Sequence, residues 1–144
     1  MTEPGELAYS ESVDDVSVDD LGGFFVGWQV VPTPEQHLEL LRGSDHIVLA
    51  RDGGSVIGYV TAVGDGVISA YIPLLEVLPD YQGRGIGSEL MRRMLVQLER
   101  FYMVDVCCDA SLEPFYRRFG MRVWDRGMGI RRPEAITRAG HDDG

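Results

Sequence analysis

Val77-Leu78-Pro79-Asp80-Tyr81-Gln82-Gly83-Arg84-Gly85-Ile86-Gly87-Ser88 reads as the end of a strand, a glycine turn and the start of a long amphipathic helix. The first N–H groups of a helix have no intrahelical partner, and the macrodipole places partial positive charge there, so an anion docks naturally. Gly83, Gly85 and Gly87 let a ligand approach the main chain without meeting a Cβ, while Arg84 and Ser88 add a charge and a hydroxyl donor. Beyond the turn, Ile86, Leu90, Met91, Met94, Leu95, Leu98 and Phe101 fall on one stripe, with Glu89, Arg92, Arg93, Gln97, Glu99 and Arg100 mostly elsewhere. The turn therefore sits on a structural joint suited to holding a phosphate.

Two readings of the glycines compete. A dinucleotide-binding turn needs G-x-G-x-x-G and several βα units; Gly83-x-Gly85-x-x-Ser88 lacks the third glycine, although Asp105 lies near the acidic position, and only one strand-helix-strand crossover can be built. Read as Gln82-x-x-Gly85-x-Gly87, the run resembles the pyrophosphate signature Q/R-x-x-G-x-G/A of the GNAT family of N-acetyltransferases. Phe115-Tyr116-Arg117-Arg118-Phe119-Gly120-Met121 is similar to the same family's aromatic-Tyr-x-x-x-Gly run, and lies about 30 residues further on. Two motifs in the right order are far more specific than either alone.

Length and composition agree with one globular domain. The chain has 144 residues, 44% of them hydrophobic, which predicts one domain with a sizeable core. There is no apolar run long enough to span a bilayer and the N-terminus is acidic, so the expectation is a soluble, cytoplasmic chain with no membrane partner. A net charge of -10 argues against nucleic acid, which requires a cationic surface, and suits a cationic acceptor such as an amine. Solvated charge explains much of that acidity, because Glu3, Glu6, Glu11, Asp14, Asp15, Asp142 and Asp143 cluster toward the ends. Cys107 and Cys108 are adjacent on a predicted strand, so their side chains point apart; without His or Cys neighbours they make no zinc site, and no metal is expected.

Along the chain, a strand is predicted at 7–13, then an acidic turn and a helix starting near Asp19 or Asp20 and weakened by Gly22 and Gly23. Thr33-Pro34-Glu35-Gln36 supplies an N-cap, a first-position proline and a capping-box glutamine for a second helix ending at Gly43. Segments 46–51, 55–63 and 67–78, separated by Asp52-Gly53-Gly54 and Gly64-Asp65-Gly66, read as an antiparallel meander. After the long helix, 103–107 reads as a strand parallel to 67–78, 111–119 as a short helix, and 122–124 with 128–131 as a final hairpin. This order resembles the GNAT acetyltransferase fold, an α/β (α+β) arrangement with a mixed, mostly antiparallel sheet, a splayed parallel strand pair and flanking helices. The domain is expected to span 6–131, with flexible tails at 1–5 and 132–144.

The resemblance implies acetyl-CoA as the acyl donor, with no metal, and an N-acetyltransferase working by direct attack in a ternary complex. It places the pyrophosphate on the N–H groups of Gly83, Arg84, Gly85, Ile86, Gly87 and Ser88, with Gln82 at the head of the motif, and the pantetheine arm on the main chain of Leu75 and Val77. It implies Tyr116 as the acid that protonates the departing thiolate, with a packed aromatic as the bland alternative, and the Val77 N–H as oxyanion donor. Glu76 stands beside the thioester position and reads equally as a base or as a structural salt bridge. Two positions depart from the family: Tyr71 stands where some relatives carry a glutamate base, and Asp109 where many carry an asparagine that contacts the cofactor arm. His37 and His46 read as surface or core histidines. Phe24, Phe25, Trp28, Tyr71 and Trp124 are candidates for the acceptor lining or for the core. The acceptor is expected to be a small-molecule amine; a protein acetyltransferase and a weakly catalytic acyl-CoA-binding module stay open. Homodimers are common in the family, but no surface is named by the patterning.

Overall fold

The structure, a computed structural model, describes residues 6–124 and 126–141. A five-stranded sheet in the order β1-β2-β3-β4-β5 is built from β1 Leu7–Ser10, β2 His46–Asp52, β3 Ser55–Gly64, β4 Ser69–Val77 and β5 Met103–Val106. The first four strands pair antiparallel and β4 pairs parallel with β5, so the meander and the crossover both form. At the β3–β4 turn, Asp65 Oδ1 accepts from the N–H groups of Val67, Ile68 and Ser69, which holds its carboxyl down at about 2.

Helix α1, Pro34–Gly43, starts as its sequence dictates: Thr33 Oγ1 accepts from the Gln36 N–H while Gln36 returns a bond to the Thr33 N–H. Helix α2, Ile86–Gln97, buries Ile86, Leu90, Met91 and Met94 against one sheet face, where Val48, Ala50, Val60 and Ile72 meet it. Each such side chain contributes about 1.5–3 kcal/mol of apolar burial. The other face of the sheet, through Leu49, Val56 and Tyr59, packs on α1 and on Val16, Leu21, Phe24 and Phe25 of the N-terminal segment.

Four expectations need correction. The helix near Asp19 is a single 3-10 turn, Val18–Asp20, because Gly22 and Gly23 follow it at once and 21–33 forms no regular element. Strand β5 ends at Val106, leaving both cysteines beyond it, exposed and free. The strands expected at 122–124 and 128–131 do not form, and Asp125 of the expected turn lies outside the described residues; the apolar side chains Val123, Trp124, Met128 and Ile130 are all exposed, so no alternating face is buried that would fix a register. Helix α4, Pro133–His141, stands where a flexible tail was expected after residue 131, and Gln36 Nε2 of α1 donates to the Ile136 carbonyl. Residues 1–5 lie outside the described residues.

Candidate active site

The slot between β4 and β5 follows from their unequal lengths. Their pairing stops at Ile72 and Val106, whereas β4 continues to Val77 paired only with β3. The Leu78 N–H donates to the Ile57 carbonyl on the β3 side, so by ladder alternation the main-chain groups of Leu75 and Val77 face the other way, into the gap. Gln82 Nε2 donates to the Val77 carbonyl at 3.0 Å, which ties the glycine motif to the strand end and leaves the Val77 N–H beside the gap. Groups left in such a gap need a partner, which a peptide-like ligand can supply.

Gly83 and Gly85 adopt φ of 78° and 81°, the left-handed region, and Gly85 is the N-cap of α2. A Cβ on either glycine would meet no protein atom within 4 Å, so the space over the turn is open for a ligand. The first intrahelical bond of α2 is Glu89 N–H to the Gly85 carbonyl at 3.1 Å, which leaves the preceding N–H groups, at Ile86, Gly87 and Ser88, without helical partners. The Ile86 side chain is buried in the core, so only its main chain serves the turn. Arg84 lies over the Tyr81 ring at 5.2 Å, and Arg118 Nη2 donates to Ser88 Oγ at 3.0 Å, bringing a second guanidinium that sequence reasoning had not singled out.

The aromatic motif meets this turn from helix α3, Glu113–Arg117, which follows a 3-10 turn, Ala110–Leu112, so the helix expected over 111–119 is shorter and broken. A Cβ on Gly87 would lie 3.9 Å from both the Phe115 ring and Val77, so the two motifs and the end of β4 converge. Tyr116 is only 8% exposed, and burial, with a smaller effect of Cys108, pushes its hydroxyl up to about 12. It therefore keeps its proton at any physiological pH. Asp109 is exposed and caps the 3-10 turn, its carbonyl accepting from the Leu112 N–H.

On the opposite side of β4, Glu76 forms no ion pair among the described residues. Its Oε2 accepts from the Tyr59 hydroxyl at 2.8 Å and its Oε1 from the Phe25 N–H at 2.8 Å. Tyr59 is fully buried, and a buried phenol requires such a partner; burial and the Glu76 charge both raise its pKa. A tyrosine inside the otherwise apolar run 56–60 is the sequence signal that could have pointed to this contact. Phe25 has φ 63°, the only positive φ of a non-glycine residue among the described residues, a conformation that costs roughly 1–2 kcal/mol.

Of the acceptor candidates, Phe24 and Phe25 are core, Trp28 is 44% exposed with its ring 5.0 Å from that of Phe25, and Tyr71 and Trp124 are exposed. His37 is buried among Phe24, Phe25 and Tyr59, with Nε2 lacking a partner among the described residues; desolvation lowers its pKa to about 4. His46 meets Gln97 instead. Among the described residues no helix is long and apolar enough to cross a membrane.

Comparison with known proteins gives the arrangement its relatives. A crystal structure from Deinococcus radiodurans assigned as an acetyltransferase superposes with a TM-score of 0.86 at 43% identity, covering 90% of this chain and 91% of that one. A GNAT-family acetyltransferase of Streptococcus pneumoniae gives 0.72 at 30% identity, covering 88% and 99%. The N-alpha-acetyltransferase RimI of Mycobacterium tuberculosis is 38% identical over 74 residues, 49% of this chain and 47% of that protein. The chain thus spans about half the length of the curated relatives it matches. The sequence model of the acetyltransferase (GNAT) family matches residues 13–121, which include both motifs, the splayed strand pair and the loop that Glu76 holds, and the chain belongs to that family.

Proposed function

We propose that this chain is an acetyl-CoA-dependent N-acetyltransferase that acetylates a primary amine, of a small molecule, in the cytoplasm. The observation that carries the reading is the continuation of β4 to Val77 beyond its last pair with β5, directly ahead of the glycine turn. That geometry offers a peptide-like slot ending on a helix N-terminus, the shape of a pantetheine arm with its pyrophosphate. The open space over Gly83 and Gly85 fits the same ligand. Two exposed, unpaired cysteines suit a reducing compartment.

When bound, acetyl-CoA supplies an activated thioester. The chain's own groups do the rest. Leu75 pairs with the arm through its main chain, and the N–H groups at 83–88, with Arg84 and Arg118, hold the phosphates. The Val77 N–H donates where the carbonyl oxygen gains charge as the amine nitrogen attacks. As the C–S bond breaks, Tyr116 gives its hydroxyl proton to the sulfur, and its raised pKa keeps that proton available throughout the working pH range. The proton lost by the amine passes to solvent; Glu76, the base candidate, already accepts a hydrogen bond on each carboxylate oxygen. A second reading, acetylation of a protein N-terminus, is favoured by the likeness to RimI, whose name is that of an N-alpha-acetyltransferase.

A screen of small amines and short peptides for thiol release from acetyl-CoA tests both. Turnover on small amines supports the proposal and turnover confined to peptides supports the second reading. Acetyl-CoA binding with no turnover on any acceptor, unaltered by Tyr116→Phe, would leave only the binding-module alternative.

A further inference from the structure

Resting on the acetyl-transfer reading above, we propose that Glu76 is a positioning residue: its carboxylate clamps the 21–31 loop against β4, setting where the acceptor amine meets the thioester, instead of taking the amine's proton. Both carboxylate oxygens already accept a neutral donor, Oε1 from the Phe25 N–H and Oε2 from the buried Tyr59 hydroxyl. The clamp joins residues 51 positions apart, and among the described residues it meets the loop at the one non-glycine residue held with positive φ. A bond to a rigid strand at that point fixes the peptide plane that the strained φ would otherwise release.

Beyond ring contacts from His37 and Tyr59, no other hydrogen bond from outside holds this loop among the described residues. Residues 21–34 carry no charged side chain, and among the described residues the only other recorded main-chain bonds of 21–31 are local, Leu21 N–H to Val18 and Trp28 N–H to Phe25. The loop also reaches the end of β4, since a Cβ on Gly23 would lie 3.3 Å from the Leu78 side chain. Glu76 adjoins Val77, so one peptide step of β4 carries both the oxyanion donor and the loop's anchor. Displacing that anchor moves Phe25 and, through their ring contact, the half-exposed Trp28.

The test combines hydrogen exchange with kinetics on Glu76→Ala, Glu76→Gln and Tyr59→Phe, each checked for folding by its thermal transition and by acetyl-CoA affinity. Exchange of the Phe25 amide should rise at least tenfold in Glu76→Ala, and less in Glu76→Gln and Tyr59→Phe, which keep one of the two bonds. With an amine found by the screen, Glu76→Ala should raise the amine KM about tenfold, with kcat and the acetyl-CoA KM changed less than threefold. Glu76→Gln should recover most of that loss and keep the acidic limb of the kcat pH profile. A fall in kcat of a hundredfold or more in both Glu76 variants, with that limb abolished and the amine KM unchanged, would overturn the clamp in favour of a base. Unchanged Phe25 exchange would also overturn it. If Glu76→Ala does not fold, Glu76→Gln and Tyr59→Phe give the same readouts. A wild-type chain inert to every amine, with Phe25 exchange still responding to Glu76→Ala, would overturn acetyl transfer while supporting the anchor.

Discussion

The two sides of β4 are built on different physical terms. On the cofactor side, the slot, the glycine turn and the start of α2 lie within one continuous stretch, 75–88, shaped by left-handed glycines and unpartnered helix N–H groups. On the side proposed for the acceptor, the loop at 21–33 has no regular structure and is held by distant residues: Glu76, Tyr59 and the buried His37. The first is a backbone device that any suitable side-chain background supports. The second is a tertiary device whose parts are uninformative until they meet. Acetyl donor recognition should therefore survive damage to the acceptor side, and the reverse should hold too.

The sharpest way to break this division is Gly85→Val. A β-branched residue at φ 81° is strained, and its side chain enters the space left for phosphate, so acetyl-CoA affinity should fall beyond calorimetric detection while Phe25 exchange stays unchanged. Parallel loss of Phe25 protection would show that the two sides are one unit. Tyr116→Phe comes next: kcat should drop about 10³-fold, with acetyl-CoA Kd within threefold, as expected of a proton donor. A Kd loss matching the kcat loss would make Tyr116 a packing residue.

His37 sharpens the comparison through pH. Its folded pKa, near 4, lies below the ordinary 6.5, so the unfolded chain binds the proton first as pH falls. Its contribution to stability is complete above pH 6.5 and is lost between 6.5 and 4, by roughly 3 kcal/mol in total. Urea midpoints across that range should show this slope, and His37→Phe should flatten it without altering acetyl-CoA affinity at pH 7. The smallest effect expected is that of Arg118→Ala, about a threefold weaker acetyl-CoA affinity, shrinking as salt is added, because the guanidinium is exposed.

The same division explains what could be read from the chain alone. Thr33-Pro34-Glu35-Gln36 fixed the start of α1 because capping is a local hydrogen-bonding problem solved within four residues. The α2 stripe and the β4–β5 crossover were legible for the same reason: each rests on a periodic pattern and a nearby turn. The hairpin expected at 122–131 failed because β-propensity and a Gly-containing turn do not create a buried face, and Trp124 and Met128 find none. The sequence offered no way to find the partners of Glu76, since Phe25 lies 51 residues away and donates through its main chain, which leaves no side-chain signature.

The central claim is that the β4 slot and the glycine turn hold an acyl-CoA. Calorimetric titration of the protein with acetyl-CoA, and in parallel with NADH, tests it most directly. One-site binding of acetyl-CoA that is lost in Gly85→Val, without binding of NADH, is the result this structure leads us to expect. No binding of acetyl-CoA to the wild-type protein would contradict it.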